Sequence, residues 1–164
     1  MGRMRRIKPP LWVVLVVLCA GALVRAVEVK SEPQGFSAVV ERAVDGDTVV
    51  LAGGERVRYI GVDTPELHHP RKPVQAYARE AMEFNRRLVE GKRVRLEFDA
   101  DRRDKYRRLL AYVFLEDGTF VNAELVKQGY AQLLTIPPNV KYSDLFLKLQ
   151  REAREAKRGL WGDR

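Results

Sequence analysis

Two acidic motifs carry the first chemical signal in this sequence. Asp45-Gly46-Asp47 and Asp63-Thr64-Pro65-Glu66 each stand where a turn meets an apolar run, one short segment apart. A hard divalent cation such as calcium takes several oxygen ligands, from carboxylates and backbone carbonyls. Neighbouring strand ends can bring Asp47 and Asp63 together, and Pro65 is expected to fix the turn so that the Thr64 carbonyl and the Glu66 side chain face the same place. Taken singly, each motif reads as an ordinary hairpin turn or cap. Two of them separated by one strand are much harder to dismiss.

Two arginines extend the pattern. Arg58 precedes Asp63 by five residues, and Arg108 follows Asp104-Lys105-Tyr106-Arg107. Each alone reads as a solvated charge. Facing one metal site, they would set two cations and a carboxylate base around an anion. Attack on a phosphodiester needs that, because negative charge gathers on the phosphorus oxygens in the transition state. Other chemistries lack their residues. There is no nucleophilic serine motif, Gly-rich phosphate loop or dinucleotide fingerprint. His68 and His69, the only histidines, read as a surface pair without zinc partners. Cys19, the only cysteine, lies in the N-terminal apolar run, so a processed chain has no disulfide or thiol nucleophile.

The elements that must position these residues follow from period and turn signals. Strands are predicted over 36–44, 48–52 and 56–62, joined by Asp45-Gly46 and Gly53-Gly54. In the third strand Val57, Tyr59 and Gly61 fall on one face, and Arg58, Ile60 and Val62 on the other. A helix is predicted over 74–89, where Ala78, Ala81, Met82, Asn85 and Leu88 recur at helical spacing before Gly91. Strands at 94–98 and 109–115 flank a charged loop, and helices follow at 120–127 and 143–157. Ile136-Pro137-Pro138-Asn139 reads as a rigid loop between those helices. Five strands with a helix between the third and fourth predict an α+β protein, a five-stranded OB-fold Greek-key barrel with three helices outside. Phe36, Phe98, Tyr112, Phe114 and Phe120 are expected in its core.

The 164 residues suit one domain plus an appendage. Residues 1–26 read as a signal peptide or membrane anchor: a basic start precedes a 14-residue apolar run, Leu11 to Val24, shorter than a membrane-spanning helix needs. Residues 27–35 read as a linker and 36–162 as the folded domain. The expected location is outside the cytoplasm, secreted or periplasmic, or tethered to the membrane by residues 11–24. The net charge of +8 is weak support for a nucleic-acid partner. Five basic residues precede residue 27, and removing them leaves 25 bases against 22 acids, or +3.

Together these residues resemble the thermonuclease (staphylococcal-nuclease-like) family. The resemblance is carried by Asp45-Gly46-Asp47-Thr48-Val49, by Arg58 with Val62-Asp63-Thr64-Pro65-Glu66, by His69-Pro70, and by Asp104-Lys105-Tyr106 with Arg108 and Leu110-Ala111-Tyr112. Val121-Asn122, Glu124-Leu125-Val126, Gln128-Gly129 and Gly159-Leu160-Trp161 extend it over roughly 36–161. It implies an OB-fold barrel that hydrolyses DNA and RNA with calcium to leave 3′-phosphate ends, as a monomer. Asp47 and Asp63 would be carboxylate calcium ligands, Thr64 a carbonyl ligand, and Asp45 a residue just behind them. Glu66 would act as general base or orient the attacking water. Arg58 and Arg108 would bind the scissile phosphate, and Lys72, Lys105 and Tyr106 a neighbouring one.

Departures are local. Arg107 and Leu109 stand where the family's best-known member has glycine, so Arg107 would alter the loop presenting Arg108 or add a phosphate contact. Thr135 and Pro137 replace two tyrosines that stack on the nucleotide, and a stacked base contributes about 1–3 kcal/mol. The alternative reading is a non-catalytic OB-fold module that binds nucleic acid. Such a binder is expected to lose some of Asp47, Asp63, Glu66, Arg58 and Arg108, and all five are present.

Overall fold

Alternating apolar residues set the first elements as strands. The computed structural model describes residues 36–67 and 73–162. In chain order these contain β1 (Phe36–Asp45), β2 (Thr48–Leu51), β3 (Arg56–Tyr59), β4 (Gly61–Asp63), α1 (Ala78–Val89), β5 (Arg93–Glu97), β6 (Leu109–Leu115), α2 (Val121–Lys127), β7 (Gln132–Leu134) and α3 (Ser143–Glu155). Strands β1-β2-β3-β6-β5 close into a barrel. Only β3 and β6 run parallel; the other four pairings are antiparallel. This is the predicted five-stranded OB-type barrel with three helices. Val49, Leu51, Val57, Tyr59, Val94, Leu96, Ala111 and Val113 fill it, each almost completely buried. Burial of each of the larger side chains stabilises the fold by about 1.5–3 kcal/mol.

The third predicted strand is two strands. Gly61 adopts φ 80°, a left-handed conformation open to glycine, and a Cβ there would collide with the Phe146 ring of α3. The chain therefore bends at Ile60, and β4 leaves the barrel to pair antiparallel with β7. Both polar groups of the bend stay satisfied. Ile60 N–H donates to the Ala111 carbonyl at 3.0 Å, and Asn122 Nδ2 of α2 donates to the Ile60 carbonyl at 2.9 Å. With α2 and α3 packed on β4, Ile60 and Val62 are buried rather than sharing an outer face with Arg58.

Two further expectations are corrected, and one strand is added. The first helix starts at Ala78, not residue 74, because Tyr77 sits at φ 65° and cannot continue a helix backwards. Phe36 is 54% exposed at the start of β1 and is not core, whereas Tyr112 is buried and Phe98, Phe114 and Phe120 pack against the core. Strand β7, three residues long, went unpredicted. The expected signal or anchor at 1–26, the linker at 27–35, His68, His69 and Lys72 lie outside the described residues. Among the described residues no helix is long and apolar enough to cross a membrane.

Candidate active site

Asp47 is nearly buried in the turn between β1 and β2. Thr48 Oγ1 donates to its Oδ1 at 3.0 Å, and the Thr64 amide and hydroxyl both donate to its Oδ2 at 2.9 Å. Gly46 permits this approach, since a Cβ there would lie 2.7 Å from Thr64 Oγ1. Helix α1 holds the same turn from behind. Buried Asn85 donates from Nδ2 to the Asp45 carbonyl and accepts at Oδ1 from the Tyr59 hydroxyl, both at 2.9 Å. Burial pushes the Tyr59 phenol far up, so it stays a proton donor. Spacing had marked Asn85 only as a helix-face residue.

Arg58 of β3 joins the two acidic motifs. Its Nη2 lies 3.1 Å from Asp47 Oδ2 and 2.9 Å from Asp63 Oδ1. Its Nη1 donates to the carbonyls of Tyr59 at 3.0 Å and Val62 at 2.7 Å, so the bend at Ile60 wraps around the guanidinium. Burial raises the Asp63 carboxyl above its usual range; Arg58 pulls it down, while the charges of Asp47 and Glu66 push it up again.

Two carboxylates beside one nitrogen form an oxygen-only donor set with surplus negative charge, which suits a hard cation. Among the described residues no group of three or more Asp, Glu, His or Cys side chains gathers at metal-binding spacing. A cation here would thus take backbone and solvent oxygens besides Asp47 and Asp63. Glu66 is exposed, and its backbone is fixed by Gln75: the Glu66 amide donates to Gln75 Oε1 at 3.1 Å, and the Gln75 amide to the Glu66 carbonyl at 3.3 Å.

Arg108 is positioned by Asp104, a residue to which the motifs assign no role. Asp104 Oδ2 accepts Arg108 Nε at 2.7 Å, and Oδ1 accepts the amides of Tyr106 at 2.9 Å and Arg108 at 3.0 Å. Burial alone would raise the Asp104 carboxyl, but these bonds and the Arg108 charge hold it below its usual range. The available signal was an aspartate opening a tight charged loop, a common turn former.

Arg58, Arg108, Lys105 and Tyr106 line one groove of about 490 Å³. Leu134, Ile136, Pro137 and Pro138 line it as well; Thr135, expected there, does not. Asn139 ties this segment to the charged loop, accepting the Asp101 amide at 2.8 Å and donating to the Asp101 carbonyl at 2.9 Å. The structure thus unites Asp47, Asp63 and Thr64 with Arg58, and Arg58 with Arg108, Lys105 and Tyr106.

Known proteins resemble this sequence closely. The family described as Staphylococcal nuclease homologue matches residues 56–163. A thermonuclease of Staphylococcus intermedius is 43% identical over 134 residues, 80% of this chain and 79% of its own length. A thermonuclease of Staphylococcus hyicus is 34% identical over 163 residues, 91% of this chain and 96% of its own. Endonuclease YncB of Bacillus subtilis is 42% identical over 137 residues, 80% of this chain and 64% of its own. The chain belongs to the staphylococcal nuclease family. It is a nuclease, and its substrates are nucleic acids.

Proposed function

We propose that this chain is an exported, calcium-dependent endonuclease that hydrolyses phosphodiester bonds of DNA and RNA and leaves 3′-phosphate ends, acting as a monomer. The observation that carries the reading is Arg58, whose one nitrogen contacts both Asp47 and Asp63 at the edge of a groove that Arg108 also lines. The side chains of Asp47 and Asp63 with the Thr64 carbonyl would hold the calcium, which supplies Lewis-acid polarisation of a phosphate oxygen and a template for it.

The protein's own groups do the rest. Arg58 and Arg108 bind the scissile phosphate and offset charge on the five-coordinate transition state. Glu66 takes a proton from the attacking water, or orients it, as the water oxygen bonds to phosphorus. The bond from phosphorus to the 5′ oxygen breaks, that oxygen leaves as a hydroxyl after taking a solvent proton, and the phosphate remains on the 3′ side. Lys72, Lys105 and Tyr106 steady a neighbouring phosphate. The basic start and apolar run of residues 1–26 support export, with 27–35 as linker and 36–162 as the catalytic domain.

The test is degradation of single-stranded DNA by the purified chain, with calcium and then with chelator. Calcium-dependent cutting to 3′-phosphate ends is expected. A folded, calcium-supplied chain that binds DNA without cutting it would instead establish the non-catalytic module.

A further inference from the structure

The charged loop 103–108 borders two grooves. Arg103, Tyr106 and Arg108 line both grooves. The second groove, about 530 Å³, is lined by this loop and the Gly53-Gly54 turn. It contains four arginines, Arg56, Arg103, Arg107 and Arg108, against one carboxylate, Glu55. That carboxylate is already engaged: Arg103 Nη1 lies 2.6 Å from Glu55 Oε1 and also donates to the Arg107 carbonyl at 2.8 Å. Among the ion pairs of the described residues neither Arg56 nor Arg107 takes part, and both are exposed. Arg107 adds only a longer-range pull on Glu55.

The backbone adds a second reason. Arg107 sits at φ 67°, a conformation that favours glycine, yet carries a long basic side chain. Its amide donates to the Asp104 carbonyl at 2.9 Å, so a backbone turn keeps residue 107 at the second groove despite the strain. Tyr106, which lines both grooves, is 68% exposed, with Lys105 Nζ 5.1 Å and the Arg108 guanidinium 5.5 Å from its ring centroid. A basic channel beside an exposed aromatic ring is how single strands are bound without sequence preference.

We propose that this second groove is a phosphate-binding track for a single-stranded nucleic acid. The strand leaves the scissile bond, crosses Tyr106, and places backbone phosphates against Arg56 and Arg107. The inference rests on the reading of the first groove as the cleavage site, and it makes chain length a determinant of substrate strength.

The test uses the full chain, a labelled oligothymidylate of about 16 nucleotides and a thymidine dinucleotide. Binding of the oligonucleotide is measured by anisotropy in chelator, between about 50 and 200 mM salt. The double variant Arg56→Gln/Arg107→Gln is expected to weaken binding and to flatten the log–log salt slope by about 0.7 for each phosphate it no longer neutralises. Cleavage of the dinucleotide in calcium, which has no flanking phosphate, is expected to stay unchanged. The double lysine variant should restore the slope, which a misfolded loop would not. An unchanged slope, or equal losses on the long and short substrates, would overturn the track. Failure of the parent chain to cut either substrate would overturn the nuclease mechanism instead, because the track is judged on binding without calcium.

Discussion

Thr64 grips one oxygen of Asp47 twice, its amide and its hydroxyl each 2.9 Å from Oδ2. A residue of one acidic motif thereby sets the side chain of the other. Arg58 spans the same two motifs through Asp47 and Asp63, so the two carboxylates share one cation.

Thr64→Val deletes the hydroxyl and keeps the amide. Loss of one buried hydrogen bond is expected to cost about 1 kcal/mol and to raise the calcium needed for cleavage. Gly46→Ala should do worse, about 1–3 kcal/mol, by driving a methyl against the Thr64 side chain. Denaturant midpoints and calcium titrations of cleavage check both.

Glu66→Gln and Arg58→Ala should separate chemistry from stability. Glu66 is exposed, so its amide variant should fold normally while cleavage falls about 10²–10⁴-fold. Arg58→Ala leaves Asp47 and Asp63 uncompensated, and should lose activity and also about 2 kcal/mol of stability, less than a fully buried pair because Asp63 is 41% exposed. A fully active Glu66→Gln would remove the general-base assignment.

Asp104→Asn retains a carbonyl oxygen for the loop amides but loses the charge holding Arg108 Nε. Charge-assisted bonds are roughly twice as strong as neutral ones. Single-turnover rates should therefore fall about tenfold while the melting midpoint moves by no more than the equivalent of about 1 kcal/mol. Equal rates in both proteins would show that Arg108 needs no such brace.

Arg107→Gly removes the left-handed strain at φ 67°. A gain of about 0.5–1 kcal/mol is expected, the released strain exceeding the extra freedom glycine has in the unfolded chain. Arg107→Ala should bring no such gain, because it keeps a Cβ. Urea denaturation of the two variants decides the matter.

Acid stability should depend on Glu97. Burial would raise its carboxyl, but hydrogen bonds from Lys141, Tyr142 and Arg95 and the Lys141 charge hold it below its usual 4.5. A depressed folded value contributes stability that is full above 4.5 and is lost as pH falls through the lower, folded value. The stability difference between the parent and Glu97→Gln should thus shrink steadily below about pH 4.5, as read by denaturation at stepped pH.

Period and turn chemistry, both local, were enough to determine from sequence the strand at Thr48–Leu51, the strand at Leu109–Leu115, the order of helices and the barrel they build. They also marked Asp47, Asp63 and Arg108, charged residues at turns and strand ends, while Arg58, inside a predicted strand, stood out only by its spacing to Asp63 and by the family resemblance. At the break after Ile60 only glycine fits at position 61, because Phe146, far along the chain, fills the space a Cβ there would need. The rescue of that bend by Asn122, the pairing of β4 with so short a strand as β7, and the exposure of Phe36 likewise depended on what packs where. So did the bracing of Arg108 by Asp104 and the second groove beyond Tyr106. Hydrogen-bond partners and opposed charges belong to no single segment, and only closing the barrel brought them within a few ångströms.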